Sequence, residues 1–487
     1  MDEAVKARWR PLAPLVALKA LVFGFILVRL VAIGSTNIFQ DEAYYWMWGQ
    51  HPALSYYDHP PLNAWLLGLS GSVLGWSKLA LRVPVVLAFV ADLALLALIS
   101  RRIAPDRPGH LWVTLLLFLV TPVLFVVTGW ALPDYLLVTL LLGAIYFLLG
   151  FLVEWPTAPR WRYLYLGAAC LGLAGLAKYN AALLGVGLAL YIVLVPRMRP
   201  LLLRPQLYLA AAIAIALQAP VMLWNLTEGF ASYGFILGDR HAVEVRGLEG
   251  VRGWLLVSLA AVGPFLVPPL LGFALRRGRT TGVGLAQITF WLSSLAMASL
   301  SYFTAVLFHW NLVAYVVALP FVVLHMRWRW LTWLHLAYGT ALLAVVVVNF
   351  SMAPLGDPVA MDDEATSWAY GWNETAEAVR AAQREHGAGF VATTDYTSAS
   401  LLGFALRSTD VTSLDPRRDQ YDYWFDAAAH AGEDAIIYTD TWRRLDDEVR
   451  ARFAEIVLLS DEAVLHLGRP VNRRQLYLAK GYIPPAE

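Results

Sequence analysis

The chain has 487 residues, 59% of them hydrophobic and only 15% charged, with a net charge of +1. Soluble domains carry about 25% charged residues, so the composition excludes an ordinary soluble domain, and the near-neutral balance argues against a nucleic-acid partner. One cysteine, Cys170, lies inside an apolar run, which leaves no disulfide within the chain and no cysteine-based metal site.

In chain order, Lys6, Arg8 and Arg10 precede a first apolar stretch that is too long for a signal-peptide core and reads as a retained anchor. Further stretches approach the roughly 20 apolar residues that cross a bilayer core. About eleven spans are expected, near 13–34, 79–100, 109–129, 134–153, 162–179, 181–196, 206–225, 254–275, 282–305, 311–325 and 331–350. No period-two alternation points to a barrel. Alternate loops are basic: Arg101, Arg102 and Arg107; Arg160 and Arg162; Arg197, Arg199 and Arg204; Arg276, Arg277 and Arg279; Arg327 and Arg329. The positive-inside rule puts these and the N-terminus in the cytoplasm. The loops 34–78, 129–133, 225–253 and 308–310, the turn at Lys178 and everything after residue 350 then lie outside.

The first outer loop opens on Phe39-Gln40-Asp41-Glu42-Ala43-Tyr44-Tyr45-Trp46 and continues through Tyr56-Tyr57-Asp58-His59-Pro60-Pro61-Leu62. Charged groups at a membrane face are costly unless paired or working, so chemistry is expected here. Leu62, Trp65, Leu66, Leu69 and Val73 fall at helical spacing after Pro60-Pro61, which predicts an interfacial amphipathic helix. The loop is large enough for two such helices. Beyond 350 the composition turns polar. Patterns predict helices over 373–385, 398–406 and 443–453, short buried strands over 389–394, 434–439 and 454–460, and a final strand over 475–482. The expected organisation is a membrane domain over 1–350 and a small soluble α/β domain over 351–487.

Taken in order, Asp41-Glu42-Ala43-Tyr44-Tyr45-Trp46, Tyr56-Tyr57-Asp58-His59-Pro60-Pro61, Leu132-Pro133-Asp134, Ala177-Lys178-Tyr179 and the His309-Trp310 to Tyr315 run resemble the GT-C membrane glycosyltransferases. The likeness is to the family-39 protein-mannosyltransferase and aminoarabinose-transferase-like bacterial enzymes, and it covers the whole membrane part. The stretches 391–404 and 420–424 also look like the tail of some bacterial members. The resemblance implies a GT-C fold and a polyprenyl-phosphate-linked sugar donor. It also implies attack by an acceptor on the anomeric carbon, usually with inversion, and departure of the lipid phosphate; for an acceptor that is itself a phosphate, Asp41 would orient or coordinate instead of acting as a base. No Gly-rich phosphate loop for a nucleotide sugar is present.

The same resemblance suggests roles for particular residues. Asp41 stands where relatives carry the general base, which must reach the attacking oxygen; the plain alternative is a helix cap. Glu42 is the second catalytic candidate; its alternatives are orienting Asp41, binding a cation or holding an arginine such as Arg29. Asp58 and His59 stand where one branch has an acid followed by a phosphate-binding lysine, and His59 departs from that lysine. A turn with Asp58 capping the next helix is the alternative. Asp134 and Lys178 match a site acid and a lysine facing the donor phosphate, against a helix start and an outward-snorkelling anchor. Arg240 and His241 stand roughly where relatives bind phosphate, and an arginine fork suits one. Tyr45, Tyr57, His309 and Trp310 are assigned to the sugar or acceptor pocket, with a membrane-interface aromatic as the alternative for Trp310.

No cofactor is required by the sequence. A divalent cation held by Asp41, Glu42, Asp58, His59 and His241 is conceivable from the oxygen ligands, but no fixed ligand spacing supports it. The expected function is transfer of a sugar from a polyprenyl-phosphate donor to a lipid A, other glycolipid, glycan or protein acceptor at the outer face of a bacterial inner membrane. The rivals are a flippase for the same lipid-linked sugar, against which the outer-face clustering of charges and the lack of a repeat argue, and an envelope-assembly scaffold.

Overall fold

The computed structural model describes residues 14–238, 240, 247–276 and 280–485. They form two compact units that cut across chain order. One runs up to Ile33 and takes in His59–Asn63 and Val83–Ala344; the other comprises Gly34–Asp58, Ala64–Arg82 and Val345–Glu487.

The first unit is helical. Every expected apolar stretch falls on helix, but not every one on a single long helix. Among the described residues, Leu15–Ser35, Lys78–Ile103, Pro133–Glu154, Val283–Leu300 and Arg329–Ser351 are individually long and apolar enough to cross a membrane. Three more candidates are bent pairs, so length and composition support five to eight crossings where the hydropathy pattern suggests about eleven. The pairs are Tyr179–Leu194 with Pro196–Leu203 (105°), Pro205–Ala216 with Ala219–Thr227 (47°), and Leu248–Val262 with Pro264–Leu275 (86°). Proline causes much of the difference: Pro122, Pro196 and Pro264 each stand at the first position of a new segment, where the missing N–H interrupts the preceding ladder. Charges inside this unit are partnered. Buried Arg29 donates to the Phe125 carbonyl and to the Thr128 hydroxyl, both at 2.6 Å. Buried Asp92 accepts from the Thr139 hydroxyl at 2.6 Å.

The second unit is an α/β assembly. Strands β1 (Phe390–Thr393), β2 (Val411–Ser413), β3 (Ala435–Thr439), β4 (Phe453–His466) and β5 (Arg469–Tyr482) form one sheet in the order β2-β1-β3-β5-β4. The first three are parallel, while β5 runs antiparallel to β3 and β4 antiparallel to β5. The helices Trp372–His386 and Tyr396–Leu406 match the predicted ones. Three details differ from the sequence pattern. β2 is too short to show a period. The expected helix over 443–453 shrinks to Asp447–Ala451. β4 is a long, mostly exposed edge strand rather than a short buried one, because it pairs on one side only, with β5.

Helix Leu62–Leu74 forms as predicted and exposes Leu69 and Val73. Its companion, Gln40–Gln50, is no surface helix: Trp46, Met47 and Trp48 are fully buried. The two helices touch backbone to backbone. A Cβ on Gly68 would lie 2.5 Å from the Gly49 carbonyl oxygen, and one on Gly49 would lie 2.7 Å from the Gly68 nitrogen. Neither main chain can yield, so Gly68→Val should lower the thermal midpoint of the purified protein, with an overpacking cost of about 1–3 kcal/mol. Gly24→Val, inside helix Leu15–Ser35 with nothing close to its side-chain position and an ordinary helical φ, controls for the loss of a helical glycine without a clash.

Candidate functional site

In the α/β unit, the chain enters helix Gln40–Gln50 from an extended Phe39. Glu42 folds back so that one oxygen, Oε2, accepts the Phe39 N–H at 3.0 Å and an Arg82 N–H at 2.9 Å. Both charged side chains are under 5% exposed, and Arg82 also donates to the Asn37 carbonyl at 3.2 Å. The arginine that Glu42 holds is therefore Arg82; Arg29 spends its guanidinium on Phe125 and Thr128. Capping falls to Glu42, which leaves its neighbour Asp41 half-buried in the first helical turn, where the positive end of the helix favours a carboxylate.

Tyr44 lies one turn further on and organises the surroundings. Its hydroxyl donates to Asp58 Oδ2 at 2.6 Å and accepts the Gln420 N–H at 3.0 Å. The Gln420 side chain in turn accepts the Tyr57 N–H at 2.7 Å. Asp58 is thus a phenol acceptor. The Tyr44 ring sits 4.5 Å from that of Tyr396, over which the Arg417 guanidinium lies at 5.2 Å. Tyr396 follows β1, and Arg417 and Asp419 follow β2, so the cluster collects at the carboxyl ends of the parallel strands, the usual place for a site in such sheets. Burial, together with the charges of Asp41 and Asp58, pushes the Tyr396 phenol far above its ordinary range. Burial, Asp58 and Asp419 do the same to Tyr44. Both phenols therefore stay protonated beside carboxylates. Tyr45 packs edge-on against Trp48 at 5.0 Å, and the Tyr57 ring lies 6.0 Å from Tyr423.

The helical unit gathers the other candidates. Asp134, in the first turn of Pro133–Glu154, takes both its oxygens to the Lys178 ammonium at 2.8 and 2.9 Å, and both residues are buried. Lys178 is held inward by this bond and does not snorkel. Arg240 approaches His59 Nε2 at 3.4 Å and covers the Trp310 ring at 4.9 Å. His309 is close enough for its ring to feel Lys178, Asp134 and Arg240. Burial, then Lys178, draws its pKa down to about 4. Burial, then Arg240, Lys178 and His309, holds His59 well below its ordinary value. Three basic side chains, Lys178, His309 and Arg240, thus act on the Asp134 carboxylate, and His59 adjoins them through Arg240. His241 lies outside the described residues. Among those described, no group of three or more His, Cys, Asp or Glu side chains is arranged to hold a metal ion, and the Glu42 carboxylate is engaged by Arg82.

Arg82, Tyr44, Tyr396, Arg417 and Gln420 are missing from the sequence-based set. Two signals bore on them. Arg82 is a lone arginine just inside an apolar span, and Asp415-Pro416-Arg417-Arg418-Asp419 abuts the 420–424 stretch that the resemblance singles out.

Residues 58–224 match the family model described as dolichyl-phosphate-mannose-protein mannosyltransferase. The chain is 26% identical over 325 residues to the lipid A galacturonosyltransferase RgtD of Rhizobium johnstonii, covering 63% of this chain and 65% of that protein. The match therefore spans just under two thirds of that relative's length. In fold, the chain is similar to ArnT from Cupriavidus metallidurans bound to undecaprenyl phosphate, with a TM-score of 0.63 at 15% identity over 96% of this chain and 98% of that one. It is similar to the apo state of ArnT with a TM-score of 0.59 at 14% identity, over 95% and 98% of the two chains. Together these findings show that the chain shares the fold of ArnT and is similar, over residues 58–224, to the mannosyltransferase family model.

Removing one member of a buried ion pair costs about 3–5 kcal/mol because the other charge is left uncompensated. Arg82→Ala should therefore destabilise the protein strongly in a thermal or denaturant scan. Arg82→Ala combined with Glu42→Gln should recover part of the loss, since no bare carboxylate remains.

Proposed function

We propose that this protein transfers a sugar from a polyprenyl-phosphate carrier to a hydroxyl of an envelope acceptor at the outer face of the bacterial inner membrane. The observation that carries the reading is the division of charge. Lys178, Arg240, His59 and His309 form one basic cluster in which Asp134 pairs with the lysine, a donor set suited to an anionic phosphate. Asp41 and Asp58 concentrate carboxylates beside Tyr44 and Tyr396, a set suited to receiving a proton. The names of RgtD and ArnT's bound lipid support a lipid-linked substrate and a lipid acceptor.

In this reading the lipid phosphate rests on Lys178 and Arg240. Asp134 fixes the lysine, and Trp310 backs the arginine. The acceptor hydroxyl attacks the anomeric carbon, the bond from that carbon to the phosphate oxygen breaks, and the hydroxyl proton passes to Asp41. The phosphate leaves with the bonding pair, stabilised by the same cations. Tyr44 holds Asp58 in place to orient the sugar, while Glu42 and Arg82 anchor the helix that carries Asp41. Tyr45, Tyr57, His309 and Trp310 keep the assignment to a sugar or acceptor pocket that the resemblance gives them.

Asp41→Asn should lower transfer to a lipid acceptor by about 10²–10⁴-fold while leaving donor affinity unchanged, as read by mass spectrometry of the glycolipid product. Undiminished transfer removes Asp41 as the base. Arg240→Ala should weaken donor binding about tenfold or more, in line with the loss of a charge-assisted hydrogen bond.

Binding should also depend on pH. His309 titrates near 4 when its neighbours are cationic, and an added anion raises that value. A phosphodiester donor, whose single charge is constant, should therefore bind more tightly as pH falls through the raised pKa, levelling off below about 4. Calorimetry should show accompanying proton uptake, and His309→Asn should flatten the dependence.

A further inference from the structure

A cavity of about 480 Å³ in the α/β unit is lined by neither Asp41 nor Asp58. Phe404 and Arg407 on its wall stand eight and eleven residues beyond Tyr396, about 12–16 Å along a helix axis. Its walls are aromatic: Trp76, Tyr370, Trp372 and Phe404. Three of these rings have committed their polar ends within the chain. The Trp76 indole donates to the Phe404 carbonyl at 3.1 Å, Trp372 to the Trp368 carbonyl at 2.8 Å, and the Tyr370 hydroxyl to the Asn349 carbonyl at 2.5 Å. What they offer the cavity is fixed apolar surface. Hydrogen bonding is supplied between them by Asn37, Lys78, Asn373, Glu374, Arg407 and His466. Among the described residues, no hydrogen bond or ion pair engages the guanidinium of exposed Arg407.

Flat apolar faces alternating with polar and mostly cationic groups suit a saccharide that carries an acidic substituent. Its ring C–H faces pack on the aromatics, its hydroxyls meet the amides, and its acid meets Lys78 and Arg407. The volume lies within the roughly 300–1,000 Å³ of small-ligand sites. The cavity's position says how the ligand arrives. Lys78 donates to the Ser35 carbonyl at 3.1 Å, and Ser35 meets Ser351 at 3.3 Å, so the terminal residues of three apolar helices meet beside it. On the other side His466 bonds to the Met352 carbonyl at 2.9 Å, flanked by Leu465 and Leu467, which are 59% and 73% exposed. Such an apolar rim at helix ends fits a bilayer surface.

We propose that this cavity is a second saccharide site that anchors the acidic headgroup of a membrane-embedded glycolipid. The assignment deepens the transferase reading, and rests on it in that the anchored lipid is the acceptor. Binding itself requires no turnover.

The test uses the full chain in nanodiscs, with three probes: a phosphorylated diglucosamine glycolipid, its dephosphorylated form, and phosphatidylglycerol. The expected result is preference for the phosphorylated glycolipid, weakened at least tenfold by Arg407→Glu and by Trp76→Leu. Affinity for polyprenyl phosphate, read in parallel, should not change. In a transfer assay Arg407→Glu should raise KM for the acceptor and spare kcat. Equal binding of phosphatidylglycerol, or wild-type glycolipid affinity in both variants, overturns the proposal. Loss of polyprenyl-phosphate affinity in the unaltered protein would instead count against the transferase reading.

Discussion

A chain this poor in charge can bury a charged side chain only beside a partner, because an isolated ion in a low-dielectric interior is too costly. The pair Lys178–Asp134 is where that constraint shapes the candidate site most directly. One carboxylate holds the ammonium by both oxygens, yet the basic groups around it outnumber it. That excess is what the proposed phosphate site rests on. His59 and His309 meet the same constraint in another way, since burial holds both imidazoles below their ordinary pKa and favours the neutral form.

The second cluster answers it with hydrogen bonds. Glu42 is neutralised by Arg82 and stitched to Phe39, so of two adjacent acids one is structural and the other is left half-buried. Tyr44 joins residues far apart in sequence: Asp58 accepts its hydrogen bond and Gln420 supplies an N–H. That single phenol links the loop motifs to the turn following β2, and gives the tail a physical connection to the residues that carry the expected chemistry.

The α/β sheet matters through its polarity. Its three parallel strands end at Thr393, Ser413 and Thr439, and the turns beyond them supply Tyr396, Arg417 and Arg443. Arg443 is bound there by Asp395 at 3.1 Å, Asp440 at 2.6 Å and Glu364 at 3.0 Å. This buried network fixes the turns beyond β1 and β3 against each other. The sheet's switch point is thereby filled by the chain's own charges and is turned to holding loops in place.

Hydropathy alone determined that the chain is a membrane protein with a polar α/β segment after residue 350, and motif order pointed to the GT-C class. These are legible because apolar run length and local spacing are one-dimensional properties. Of the basic cluster, Lys178 stood out as a lone cation between two short apolar stretches, whereas Arg240, His59 and His309 were picked out by the resemblance. Only the tertiary structure decided which charges pair: Glu42 with Arg82 and not Arg29, Lys178 with Asp134, Tyr44 with Asp58. It also decided that helix Gln40–Gln50 is buried and that several spans are broken, since partner choice and bending depend on through-space distances between residues dozens to hundreds of positions apart, which no local pattern encodes.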